Sequence, residues 1–117
     1  MKKVLIATIG LISTIVFGQD INPLSETETV VLDNDQVTAV EYMAEPQGNV
    51  CGKGMHHHKP HLVVLLSDAK VVITTPEGES QEVEVPFGTT LWAGEETHTV
   101  VNTGDMPTKM ILVYPKN

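Results

Sequence analysis

Short apolar segments alternate with clusters of turn-forming residues over most of this chain. The apolar segments occupy residues 30–32, 37–43, 62–67, 70–75, 81–85, 90–92, 97–101 and 110–114. Between them stand Asp33-Asn34-Asp35, Ser67-Asp68, Pro76-Glu77-Gly78-Glu79 and Thr103-Gly104-Asp105, whose residue types favour tight turns. Gln81-Glu82-Val83-Glu84-Val85 alternates strictly, as a strand with one wetted face must. Leu62 to Leu66 is apolar on both faces, which places it inside a sandwich or under a partner subunit. No window of helical length carries apolar positions at a 3.6-residue period, and Val, Ile and Thr dominate the apolar stretches. Eight short segments at close spacing predict an all-β sandwich or barrel.

The first eighteen residues break this pattern. Met1-Lys2-Lys3 precedes an apolar run of about fourteen residues that ends at Phe17-Gly18, after which the chain turns polar and acidic. That order is the one a secretory signal needs, with cleavage expected after Gly18. The run falls short of the roughly 20 residues that span a bilayer, so the exported form is expected to make no stable membrane insertion. The predicted organisation is a signal peptide over 1–18, an amino-terminal arm over 19–29 and one domain over 30–117. Export to the periplasm or the exterior follows from the signal.

Composition narrows the function. The 117 residues carry fifteen Asp and Glu against seven Lys, no Arg, and a formal net charge of -8. Removing the signal takes away Lys2 and Lys3 but no acid, so the exported chain is more acidic still. Nucleic-acid binding needs a basic footprint and is excluded. The absence of guanidinium forks also disfavours a substrate clamped by its carboxylate or phosphate. Cys51 stands alone, which removes any intramolecular disulfide; it reads as a small buried residue, a soft thiolate ligand being the alternative.

The five histidines carry the chemistry. His56 and His58 lie two apart and leave the same face of an extended segment, whereas His57 points the other way. His61 has the wrong parity for that face unless Lys59-Pro60 bends the strand, as proline at an edge or bulge does. His98 sits in a later β-branched segment. Neutral imidazoles are ligands for late first-row metals, so convergence of His56, His58, His61 and His98 would hold one divalent transition ion, whether Fe, Mn, Ni, Cu or Zn. A loose metal-scavenging histidine tract is the competing reading. Around this cluster Asn102 (in strand parity with His98), Trp92 and Tyr42 are the candidate substrate contacts; a turn role for Asn102 and core packing for Trp92 and Tyr42 are the alternatives. Glu95 and Glu96 are assigned to a solvated turn.

From Asp33 onward the chain resembles the small single-domain cupins, the double-stranded β-helix or jelly-roll superfamily. Their first motif pairs two histidines one residue apart with a following glutamate and, after six residues, a turn glycine; here His56, His57, His58, Lys59, Pro60 and His61 are followed by the six residues Leu62 to Ser67 and then Asp68. His61 thus occupies the usual glutamate position and Asp68 the glycine position. Gly88, Gly94, His98 and Asn102 fit the second motif, with Trp92 where proline is common. The resemblance implies a jelly-roll barrel whose interior holds the metal on His56, His58, His61 and His98. It further implies a small-molecule substrate, chemistry of the metal-dependent dioxygenase or isomerase/lyase type, and a homodimer. A noncatalytic periplasmic metal or small-molecule binding module is the alternative, and a purely structural metal a third.

Overall fold

The computed structural model describes residues 26–117, so the signal peptide expected over 1–18 lies outside the described residues. Among the described residues nine strands follow one another with no helix between them. They are β1 Glu26–Asp33, β2 Val37–Ala44, β3 His56–His58, β4 His61–Leu65, β5 Ala69–Thr74, β6 Ser80–Val85, β7 Thr90–Ala93, β8 Glu96–Asn102 and β9 Thr108–Pro115. All pairings are antiparallel. One sheet runs β1-β2-β9-β4-β7 and the other β3-β8-β5-β6. The all-β class expected from the alternation of apolar segments and turns is borne out, in the jelly-roll form that the family resemblance implied.

Local chemistry accounts for the strand ends. At the β1–β2 hairpin the Asn34 carboxamide oxygen accepts from the Gln36 and Val37 amides, which closes the turn. Lys59-Pro60 ends β3, and the chain re-enters as β4 in the opposite sheet. Proline supplies no donor to continue a ladder, so the break falls where the sequence places it. β1 begins at Glu26, earlier than the expected domain start at residue 30. Residues 26–29 of the predicted arm are paired with β2 from Glu26↔Ala44 onward.

The core gathers Ala44, Val50, Cys51, Leu65, Ala69, Val71, Val100, Met110 and Leu112 from both sheets. Leu112 is the largest of the fully buried side chains, and burying a leucine contributes about 2 kcal/mol. β4 lies between β9 and β7; Leu65 joins the core and Val63 packs against it, whereas Leu62 and Val64 on the opposite face are half-buried.

Asn102 ends β8 with no exposed surface. Its amide donates to the carbonyls of Ala44 and Met106 at 3.0 and 2.9 Å, and its carbonyl accepts from the Gly104 amide at 2.9 Å. These bonds join β2, β8 and the β8–β9 turn, which is the turn role given above as the alternative for Asn102. Asn102→Ala would leave two buried carbonyls and one amide without partners, at a cost of about 2 kcal/mol. Thermal unfolding of the variant should show a melting temperature lower by about 8 °C or more; an unchanged value would mean that water replaces the side chain.

A candidate metal centre

β3 and β8 are antiparallel neighbours, with His56 opposite His98 and His58 opposite Glu96. Residues 56 and 58 on one strand and 96 and 98 on the other therefore share a face, the one turned into the barrel. The ring centroids of His56 and His58 are 4.7 Å apart, those of His56 and His98 4.9 Å, and those of His58 and His98 5.3 Å. His58 and His98 are only 4% and 7% exposed.

The hydrogen bonds orient the lone pairs. His56 Nδ1 donates to the Gly54 carbonyl at 2.8 Å, so its Nε2 is the acceptor nitrogen. His58 Nδ1 meets the Tyr114 hydroxyl at 2.6 Å. His58 Nε2 and His98 Nε2 are buried and have no partner. A buried N–H without an acceptor costs more than a bare lone pair, so the tautomers that leave these two nitrogens unprotonated are favoured. Orienting one ring nitrogen by a hydrogen bond while the other is left free is how proteins prepare imidazole for a metal.

Electrostatics keep these rings neutral. Burial, followed by the neighbouring histidines His56, His61, His98 and His57, pushes His58 from 6.5 down to about 3. Burial and then the charges of His56 and His61 push His98 to about 4. Burial, reinforced by Glu96, raises the Cys51 thiol to about 12, and burial raises Tyr42 to about 12. Neutral imidazole is the ligating form.

The side chains whose donor atoms all lie within 4.8 Å of one another are Cys51, His56, His58 and His98. This set can hold a metal ion, and the two orphaned Nε2 atoms are what a metal would satisfy. Three of the four predicted histidines are thus gathered. His61 is almost fully buried and its ring centroid is 4.9 Å from that of His58, yet it stands outside that set. Its Nδ1 donates to the Lys59 carbonyl at 2.7 Å, and its Nε2 lies 3.8 Å from a Glu96 carboxylate oxygen. The break at Lys59-Pro60 returns His61 to the interior, as the bend required, but on the opposite sheet.

Two residues enter the site that spacing did not assign to it. Glu96, expected in a solvated turn, is the first residue of β8, and its carboxylate lies 3.8 Å from both His61 Nε2 and His98 Nδ1. Its parity with His98 was the available signal. Cys51 arrives from the loop before β3 and touches His56 Nε2 at 3.5 Å. His57 points outward, as predicted, and bonds Thr97 and Glu95.

The remaining substrate candidates separate. Tyr42 is half-buried and lines a cleft of about 90 Å³ with Glu26, Glu28, Asn49, Gly52 and Lys53. Trp92 lies on the edge strand β7 with 59% of its surface exposed, so it forms neither core nor a closed pocket wall.

Solved structures with this architecture carry the family name. A cupin domain from Bordetella pertussis Tohama I is 25% identical over 84% of this chain and all of its own length, at a TM-score of 0.71. An RmlC-like double-stranded β-helix cupin from Methanocaldococcus jannaschii superposes at 0.60 with 7% identity, covering 84% and 87% of the two chains. This chain has the fold of a small cupin domain.

Enzymes occur among the other cupin neighbours. A polyketide cyclase from Streptomyces resistomycificus matches at 0.62 with 18% identity, over 80% of this chain and 67% of its own. A sugar phosphate isomerase of the cupin superfamily from Silicibacter pomeroyi matches at 0.55 with 17% identity, over 80% and 60%. No family model and no curated protein matches the sequence. At these identities the two enzymes share the cupin's fold alone.

Proposed function

We propose that this protein is an exported small cupin that binds one divalent transition metal at the histidine cluster and acts there on a small molecule. The observation that carries the reading is the pair of buried, partnerless Nε2 atoms on His58 and His98, in rings whose centroids lie 4.7 and 4.9 Å from that of His56. Leaving two polar atoms unsatisfied at the centre of a domain costs a few kcal/mol unless a ligand engages them. The fourth position falls to His61, as its place in the cupin motif suggests, or to Cys51.

A metal held by neutral imidazoles keeps most of its charge and supplies Lewis acidity toward an enol, phenol or carbonyl oxygen, or redox chemistry if it is iron, copper or manganese. The protein's own contribution is orientation and proton handling. Tyr114 and the Gly54 carbonyl hold His58 and His56 in their ligating tautomers. Glu96 offers a partly exposed carboxylate beside His61 and His98, the position from which a proton on an incoming hydroxyl can be accepted. The chain has no arginine, so binding through the metal is favoured over binding through a carboxylate clamp. Dioxygenase-like chemistry on an enol or phenol fits these parts, and isomerase or lyase chemistry uses the same ones.

Export rests on the amino-terminal pattern. Val30, Val31 and Leu32, exposed on edge strand β1, support the expected homodimer. Elemental analysis of the purified mature chain is expected to find one transition-metal ion per chain, retained through gel filtration. The loaded protein is then screened for oxygen uptake and for isomerisation with enols and phenols. Absence of stoichiometric binding with Zn2+, Co2+, Fe2+ and Mn2+ alike would overturn the reading, and a loaded protein inert to every substrate class would leave a binding module.

A further inference from the structure

We infer that Cys51 is the fourth metal ligand, which makes the centre a three-nitrogen, one-sulfur site in place of the four-histidine set. The inference rests on the metal-binding reading above and deepens it. The argument begins with the partnerless Nε2 atoms of His58 and His98, both residues more than nine-tenths buried, whose side chains each bring a ring nitrogen within 4.8 Å of the Cys51 sulfur.

The approach of Cys51 is built into the fold. The loop before it is tied to β8 by the Val50 amide on the Val100 carbonyl at 2.7 Å, the Gln47 amide on the Asn102 carbonyl at 2.7 Å, and the Asn102 amide on the Gly48 carbonyl at 3.0 Å. Asn49 is held to Glu26 through its amide and its side chain. Cys51 itself has a φ of 58°, a left-handed conformation that a non-glycine residue adopts at a cost. Gly52 follows at a φ of 147°, and a Cβ there would lie 2.7 Å from the His56 ring. Only glycine lets the loop pass flat against that imidazole, and the pass sets the sulfur against His56 Nε2.

The distance suits coordination. The thiol donates to His56 Nε2 at 3.5 Å, since that nitrogen carries the lone pair. Ligand bonds of about 2.3 Å to sulfur and about 2.0 Å to nitrogen at tetrahedral angles also separate the two donors by about 3.5 Å. His61, by contrast, would have to move from beside Glu96 to join the other three. On loading, the Cys51 S–H bond breaks heterolytically, the proton leaves to buffer, and the sulfur electron pair forms the metal–sulfur bond. No electron is transferred. The thiolate lowers the net charge of the centre and tilts it toward zinc, cobalt or copper over manganese.

Cobalt reports both questions in one titration. Metal-free wild-type protein, kept reduced, is titrated with Co2+ and followed by absorption, with zinc affinity measured by competition. One equivalent is expected to give visible ligand-field bands of tetrahedral intensity together with a near-ultraviolet thiolate-to-cobalt charge-transfer band. Cys51→Ser should keep visible bands, lose the charge-transfer band, and bind zinc at least tenfold more weakly. Visible bands without the charge-transfer band in the wild type would overturn the Cys51 assignment and leave the metal site standing on nitrogen ligands. No cobalt binding at all would overturn both. The wild-type spectrum decides the matter even if the variant does not fold.

Discussion

Acidification of the metal-free protein from about pH 7 to about pH 4.5 is expected to remove about 4 kcal/mol of stability and lower the melting temperature by about 15 °C or more. The cause is the histidine cluster. In the folded state burial and mutual repulsion hold His58 near 3 and His98 near 4, whereas in the unfolded chain both titrate near 6.5. Between those values the unfolded state binds more protons. The stability contributed by the neutral rings is therefore complete above about 6.5 and is lost as the pH falls toward the folded values. Most carboxylates titrate below this window, so its upper part reports the imidazoles. A double variant, His58→Gln with His98→Gln, should flatten the profile. A melting temperature that holds constant from pH 7 to 4.5 in the metal-free wild type would mean that the rings are solvated in solution and the cluster is looser than described. Metal should oppose the loss, because an ion that binds only the folded state stabilises it by mass action.

His58→Ala should weaken zinc binding by about a hundredfold or more, whereas His57→Ala leaves it within about twofold. Removing a partner that merely orients a ligand costs 10- to 100-fold, and removing the ligand itself costs at least as much. His58 is central, with its ring packed against His56, His61 and His98, and it is the histidine tied to Tyr114. His57 lies on the outer face of the same strand, bonded to Thr97 and Glu95. Competition titrations against a chromogenic chelator measure both variants. Equal affinities would place the metal elsewhere and remove the basis of the proposed function.

The fold was legible because its signals are local. Strand length, period-two alternation and turn chemistry act over a few residues, and eight expected segments reappear as strands. The ninth, His56–His58, was legible only as a metal motif, three residues being too few for a pattern. β1 includes the polar Glu26 to Thr29, which carry no apolar signature, because they pair with Ala44 to Glu41 of β2. Trp92 and Asn102 were ambiguous for a related reason: an indole on an edge strand and an amide at a strand end take their roles from whatever lies across from them.

The histidine parity argument determined that His56 and His58 share a face and that His57 does not, and the bend at Lys59-Pro60 followed from proline's missing donor. Those are properties of the backbone, and the amino-acid sequence suffices for them. The choice among His61, Cys51 and Glu96 as neighbours of that face belonged to the tertiary structure. Cys51 is forty-seven residues from His98 in the chain, and His61 leaves β3 for the other sheet. Their distances depend on how β8 registers against β3, on the left-handed turn at Cys51 and on the flat passage of Gly52. Contacts between distant segments are fixed by packing of the whole barrel, and no window along the chain contains them.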